Sequence, residues 1–222
     1  MPALTLSVDE IRMLVEVHIP PNTPAGESLD PLTIEFIEYA VRSSVTTLAP
    51  HDAQHHAQRA LSLGASTAQL HEILVLVSAL GVHSLMMGSA RLAQLSEPAG
   101  EQVALAPLSS EQQALHRKYV GESSYWRRFE EYVPGFLDSL LRFSPFGFEA
   151  FFGFCALPWL DAKVPALTKE WISIAVDATP SHRFLPGVHV HVGNALSLGG
   201  GRKPLLEVLE IAARAPLHSG VR

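Results

Sequence analysis

Residues 32–41 of this chain read LTIEFIEYAV, and the pattern returns at 167–176 as LTKEWISIAV. Residues 55–65, HHAQRALSLGA, return as VHVGNALSLGG at 190–200, with the same offset along the chain. Aligning 32–84 with 167–219 gives 17 identical pairs in 53 ungapped positions. Separate islands of identity that share one offset indicate a tandem duplication.

The first copy reads as three amphipathic helices. Asp30 is expected to cap a helix with Pro31 at its first position, which is a favoured arrangement. A second helix is predicted from Pro50 to Leu63, followed by a glycine that ends it. Ser66 and Gln69 have the spacing of a capping box and so predict the start of a third helix.

The second copy repeats this plan, with helices predicted over 167–176, 186–198 and 204–213. Ahead of it, residues 111–132 are predicted to form one polar helix, with further helices at 134–141 and 145–157. No alternating strand pattern of any length occurs. The sequence therefore predicts an all-α fold, a duplicated helical bundle.

The duplication also predicts the domain organisation. Residues 1–96 form the first repeat, 97–110 a linker rich in small residues and proline, and 111–222 the second repeat. Residues 7–18 are only a short counterpart of the segment that leads into the second copy. The two repeats are therefore trimmed at opposite ends.

Composition excludes several classes of protein. Of the 222 residues, 47% are hydrophobic and 17% charged, the opposite of the balance in disordered chains. The net charge of −6 argues against nucleic acid as a partner. The longest apolar stretch, 73–82, is shorter than the roughly 18 residues of a membrane span, and the first residues lack a secretion signal. We expect a soluble, cytoplasmic protein without nucleic-acid or membrane partners.

Cysteine is nearly absent, since Cys155 is the single one in the chain. An intramolecular disulfide and any zinc site with two or four cysteines are thereby excluded.

The repeated segments resemble the carboxymuconolactone decarboxylase and alkylhydroperoxidase D superfamily. The resemblance rests on the pattern Leu-Thr-x-Glu, then His-x-x-x-Ala-Leu-x-x-Gly-Ala, then a Glu-Ile helix, and it covers 29–92 and 134–219. It implies an all-helical bundle that assembles into trimers or hexamers. Two fused copies would let three chains build a pseudo-hexamer, so we expect a homotrimer.

The chain departs from the peroxidase members of this superfamily, which carry Cys-x-x-Cys ahead of the helix histidine. The corresponding residues are Ala49 and Asp52 in the first copy and Phe184 and Gly187 in the second. Dithiol chemistry needs a thiolate and a resolving thiol, so that mechanism is excluded. The resemblance then favours the cysteine-free decarboxylases, although FFGFCALPWL at 151–160 replaces their Trp-Gly-Glu segment. Two extra residues also separate the motif glutamate from the histidine in each copy.

Three polar positions recur in both copies. A histidine can serve as acid and base, and a neighbouring carboxylate would orient it. The alternative is that the glutamates brace the bundle while the histidines satisfy buried backbone or a helix end. The candidate catalytic residues are Glu35, His56, His83, Glu170, His191 and His218.

A metal site is a weaker alternative. His51 and His55 stand four residues apart on the predicted second helix, as do Asp52 and His56, and this spacing suits a shared metal. Pro186, Val190 and Gly187 replace three of these residues in the second copy. We therefore predict no metal ligand and no cofactor.

The sequence thus favours a cofactor-independent lyase, a decarboxylase or isomerase, that acts on a small carboxylated or lactone-like molecule. Arg59, one turn after His56, is the candidate substrate-binding residue, and Asn194 stands at its place in the second copy. That difference predicts inequivalent sites. Two alternatives stay open: a non-catalytic helical assembly or small-ligand binder, and a histidine-ligated metal enzyme.

Overall fold

The structure is a computed structural model and describes residues 8–17, 19–96, 106–160 and 162–218. Helices are the regular elements within these ranges, and no strand occurs there, so the predicted all-α class is confirmed. Residues 97–105 of the predicted linker lie outside the described residues, as do Ser7 and His18.

Twelve α-helices and one short 3₁₀ helix, Ala79–Gly81, lie in the described ranges. The α-helices are α1 (Val8–Glu16), α2 (Pro31–Ser43), α3 (Pro50–Ser62), α4 (Thr67–Ser78), α5 (Val82–Ser96), α6 (Ser110–Tyr119), α7 (Ser124–Tyr132), α8 (Phe136–Phe143), α9 (Pro145–Leu160), α10 (Ala166–Ala178), α11 (Leu185–Ser197) and α12 (Arg202–Ala213).

Two sets of three helices share their lengths and their spacing. The first set, α2 to α4, and the second set, α10 to α12, have 13, 13 and 12 residues each. Each helix of the second set begins at the position that the sequence repeat pairs with the start of its counterpart. Leu48 and Arg183, which the repeat also pairs, both adopt the left-handed conformation just before α3 and α11, at φ 40° and 51°. Few non-glycine residues adopt this conformation.

Two helices of the first set, α2 and α4, begin with side-chain caps. The side chain of Asp30 accepts from the backbone N–H groups of Leu32 and Thr33, each at 3.0 Å. Ser66 and Gln69 form the predicted capping box of α4. The prediction of one helix over 111–132 is wrong, however, because Gly121 takes a left-handed φ of 48° and separates α6 from α7.

The chain divides into two compact units. The first unit comprises Met1–Leu80 and Pro158–Arg222, and the second unit is Gly81–Leu157. Both three-helix sets belong to the first unit, whereas the predicted boundaries 1–96, 97–110 and 111–222 describe sequence relatedness and stay a prediction.

The core of the first unit is formed by both sets together. Helix α2 packs against α3, α4, α10 and α12, and α10 packs against α11, α12 and α4. The large apolar side chains buried between these helices each stabilise the fold by about 1.5–3 kcal/mol. The fully buried ones include Ile37, Val41, Ile73, Ile172, Ile174, Leu205 and Leu209.

A glutamate from each set binds the backbone just ahead of the other set. Glu72 of α4 accepts from the N–H groups of Lys163 and Val164 at 3.0 and 3.3 Å. Glu207 of α12 accepts from the N–H of Leu29 at 2.7 Å. Since the repeat pairs Leu29 with Val164, these are equivalent contacts made in both directions. They hold α2 and α10, the helices that carry the motif glutamates.

The second unit contains α5 to α8 and the part of α9 up to Leu157, around an aromatic cluster. Phe152 stacks on Tyr119 with ring centroids 4.9 Å apart and meets Trp126 edge-on at 4.9 Å. Phe136 and Phe148 are fully buried. The phenylalanines of α8 and α9 are thus partly core residues, although Phe143, Phe146 and Phe154 remain exposed.

One helical stretch, Thr67–Leu95, is long and apolar enough to cross a membrane by length and composition. Core helices pass the same test, so this is weak evidence. Within α4, Leu70, Ile73, Leu76 and Val77 are buried against the rest of the first unit, which is the behaviour of a core helix.

Candidate active site

The first Glu–His pair joins α2 to α3. Glu35 lies among the buried residues of α2, and its Oε2 is 2.7 Å from Nδ1 of His56 on α3. The carboxylate accepts, so Nδ1 carries the hydrogen and Nε2 is the ring atom that exchanges a proton with a ligand. The His56 side chain is 16% exposed, against 4% for Glu35. The histidine is therefore the member of the pair that a small molecule can reach.

Arg59 completes this first site. Its Nε is 2.7 Å from Oε1 of Glu35, so both carboxylate oxygens have a partner. A buried carboxylate without partners would be costly, and two charge-assisted contacts offset that cost. The Arg59 side chain is 59% exposed. Its terminal guanidinium nitrogens are donors of the kind that bind carboxylates.

The second Glu–His pair repeats this geometry in α10 and α11. Oε2 of Glu170 lies 2.7 Å from Nδ1 of His191, and the two side chains are 5% and 21% exposed. Burial lowers the pKa of His191, but the hydrogen bond to Glu170 and the charges of Glu170 and Asp177 outweigh burial, so the net shift is upward. The structure thus brings together four of the six predicted catalytic residues in two matching pairs.

Asp177 is a site residue that the sequence analysis missed. It is buried on α10, and its Oδ1 is 3.7 Å from Nε2 of His182. Burial raises the pKa of Asp177 to about 7, although the charge of His191 lowers it in part. Burial also lowers the pKa of His182. No motif pointed to Asp177, because the equivalent residue of the first repeat is Arg42.

The two sites therefore differ in charge. The first has Arg59 on its glutamate, and Arg42 nearby in sequence is paired with Glu38 on α2. The second has Asn194 in place of Arg59 and Asp177 in place of Arg42. The two sites thus differ not only at Arg59 and Asn194, as predicted, but also at Arg42 and Asp177.

His83 and His218, the third pair of repeated candidates, lie in different parts of the fold. His83 is the second residue of α5 and belongs to the second unit, whereas His218 lies five residues after the end of α12 and is exposed. Neither ring takes part in the Glu35–His56 or Glu170–His191 hydrogen bond. Their catalytic role stays a prediction.

The histidines at the start of α3 and the cysteine offer no comparable arrangement. Within the described ranges, no group of three possible metal ligands includes His51, His55 or His56. Burial raises the pKa of the Cys155 thiol to about 11, which keeps it in the unreactive thiol form.

Comparison with known proteins identifies a structural relative. The chain is similar to a Burkholderia xenovorans protein of known crystal structure that is provisionally assigned as a gamma-carboxymuconolactone decarboxylase subunit. The sequences are 32% identical and the TM-score is 0.71, over 83% of this chain and 72% of that one. No protein-family model and no curated protein sequence matches the chain.

Proposed function

The chain belongs to the carboxymuconolactone decarboxylase-like superfamily, and from that premise we propose that it is a cofactor-independent lyase of the decarboxylase type. Its substrate would be a small carboxylated or lactone-like molecule. The relative's assignment as a decarboxylase subunit supports this type of reaction.

One observation carries the proposal: a buried glutamate holds a partly exposed histidine in each three-helix set. A carboxylate that accepts from Nδ1 fixes the tautomer of the ring and stabilises its protonated form. Such a histidine can hold a proton and give it up without a metal or a thiol. The arrangement suits general acid–base catalysis.

Decarboxylation of a conjugated lactone acid makes two demands on the site. The bond to the departing carboxylate breaks, CO₂ leaves, and the electron pair enters the conjugated carbonyl to give a dienolate. That oxygen needs a hydrogen-bond donor, and a carbon of the dienolate must receive a proton. His56 or His191 would supply this proton from its imidazolium form and then regain one from solvent.

Arg59 makes the first site the better candidate for binding a carboxylate. Its guanidinium lies beside His56 on the same helix and contacts the glutamate that holds His56. Arginine binds carboxylates through paired N–H donors. The second site has no arginine at that place, so we place anchoring of the anionic substrate at the first site.

We also propose that the two sites arose by tandem duplication. The support is one common offset along the chain, shared by the helix bounds, by the left-handed residues Leu48 and Arg183, and by the two Glu–His pairs. A duplication explains why two sites of the same geometry exist and allows one of them to change its charge.

The test is CO₂ release from 4-carboxymuconolactone by the natural protein and by the His56→Ala and His191→Ala variants. Loss of a general acid–base residue is expected to lower kcat by about 10²- to 10⁴-fold. His71→Ala, at an exposed histidine of α4, is the matched control and should leave turnover unchanged.

The outcomes separate the candidate functions. Loss of turnover in one variant identifies the working pair, while equal partial losses would mean that both pairs work. Turnover that survives the loss of both histidines would contradict acid–base catalysis by these residues. If folded protein shows no turnover, the binding protein is favoured. Metal in protein purified without an affinity tag would favour the metal enzyme.

A further inference from the structure

The carboxyl group of Asp177 occupies the space that a side chain on residue 187 would fill. A Cβ built on Gly187 would overlap Oδ2 of Asp177 and would lie 3.1 Å from its Cγ. Gly187 and His191 are four residues apart on α11 and so share one face of the helix. The carboxyl group therefore reaches from α10 onto the face of α11 that carries His191, one turn before it.

The first three-helix set has a carboxyl group at the equivalent helix position. Residue 52, the counterpart of Gly187, is an aspartate and stands one turn before His56 on α3. In both sets, therefore, a carboxyl group lies one helical turn before the histidine. In α3 it is part of the helix itself, and in the second set it comes from the neighbouring helix through the gap at Gly187.

We propose that Asp177 is a positioning residue of the second Glu–His pair, one that reaches through the gap left by Gly187 and acts on the substrate through His191. Asp177 is only 2% exposed, so it does not itself contact a ligand. Its catalytic consequence rests on the proposed function, but its effect on the ring of His191 does not.

The electrostatic surroundings of His191 explain the effect. Glu170 accepts its hydrogen bond, and Asp177 adds a second negative charge; both favour the protonated ring against the effect of burial. His182 is a further titratable group of the first unit at this place, 3.7 Å from Oδ1 of Asp177.

This assigns different roles to the two Glu–His pairs. At the first pair, Arg59 contacts the glutamate that holds His56 and keeps terminal guanidinium donors for a ligand. At the second, two carboxyl groups support the imidazolium of His191. The second pair therefore keeps its histidine protonated to higher pH than an ordinary histidine, while the first is the better carboxylate site.

The test is an NMR titration of the histidine rings in the full chain, with His191→Gln used to assign the signal. Asp177→Asn removes the charge at nearly constant volume and is expected to lower the pKa of His191 by about one unit, the shift that follows loss of a nearby opposite charge. Asp52→Asn, at the equivalent helix position, is the matched control and should leave His191 unchanged.

A second pair of variants tests the gap itself. Gly187→Ala keeps the carboxyl group but forces it away from α11, so the pKa of His191 should also fall. Gly193→Ala on the same helix meets no atom within 4 Å and should have no effect. An unchanged His191 titration in folded Asp177→Asn would overturn the proposal.

The natural protein provides a measurement that needs no substitution near Asp177. The pKa of His191 should lie above the ordinary histidine value and that of His182 below it. A pKa of His191 below the ordinary histidine value would contradict the support of its imidazolium by the two carboxyl groups. Because no substrate is used, the titration is independent of whether 4-carboxymuconolactone is turned over.

Discussion

At the scale of single residues, the proposed function depends on which side chains contact each glutamate. Glu35 contacts a histidine and an arginine, and Glu170 contacts a histidine whose protonated form is also favoured by the charge of Asp177. The same motif residues therefore produce two sites of different charge. The difference lies in Arg59 and Asp177, which are not repeated.

Replacing Arg59 tests the carboxylate site. Arg59→Ala is expected to raise KM for a carboxylate substrate by about 10- to 100-fold with a smaller effect on kcat, since a hydrogen bond to a charged group contributes about 1.5–3 kcal/mol. Steady-state kinetics measures both constants. Asn194→Ala, at the equivalent position of α11, should leave KM unchanged; an equal rise there would contradict the assignment.

The raised pKa of Asp177 should make the stability of the protein depend on pH. Its pKa is about 7 in the folded protein and near 3.8 in the unfolded chain, so the folded state binds more protons between these values. The free energy of unfolding therefore falls as pH rises from about 4 to 7, by up to about 1.4 kcal/mol per pH unit from this group. The raised pKa of His191 acts in the same direction. The free energy of unfolding falls further as the pH rises above the ordinary pKa of histidine.

The measurement is urea unfolding of the natural protein and of Asp177→Asn at pH 5 and pH 7. The variant should lose part of this pH dependence, so the difference in unfolding free energy between the two proteins should change with pH. The same change produced by Asp52→Asn, whose carboxyl group is exposed, would show that Asp177 is not the cause.

At the scale of helices, the glutamates of α4 and α12 connect the two three-helix sets. Glu72 also forms a buried ion pair with Lys169, whose Nζ donates to the carbonyl oxygen of Pro158. Glu207 has no equivalent lysine, because Ile34 stands at that position. The two contacts to backbone N–H groups are alike, but only one of them also holds a buried charge.

Substitution of these glutamates should therefore have unequal effects. Glu72→Gln leaves the charge of Lys169 buried without its partner and is expected to cost about 3–5 kcal/mol of unfolding free energy. Glu207→Gln should cost about 1 kcal/mol, since it weakens one hydrogen bond. Urea unfolding measures both.

The double variant Glu72→Gln/Lys169→Met is the control for this interpretation. It removes the buried charge together with its partner and should recover most of the lost stability. A double variant as unstable as Glu72→Gln would place the cost in the backbone contacts to Lys163 and Val164 instead.

At the scale of the whole molecule, we propose a homotrimer. Its support is the superfamily resemblance and the exposure of large apolar side chains in the second unit, among them Phe146, Leu92 and Leu95. Sedimentation equilibrium should give three times the mass of the chain over a range of concentrations. A single-chain mass throughout would contradict the trimer. The cytoplasmic location also stays a prediction.

The sequence by itself determined the helical class, most helix bounds and the Glu–His pairs. These depend on local rules, such as the Asp30 cap, the Ser66 capping box and apolar spacing, or on identities repeated at one offset. It failed at 111–132, where Gly121 breaks a helix that the polar pattern did not interrupt.

Only the tertiary structure decided the surroundings of the pairs. Asp177 lies against Gly187, one turn before His191, because α10 packs against α11 and Gly187 leaves a gap, and Glu72 reaches Val164 across 92 residues. No periodicity or motif encodes such contacts, because they depend on which helix faces meet.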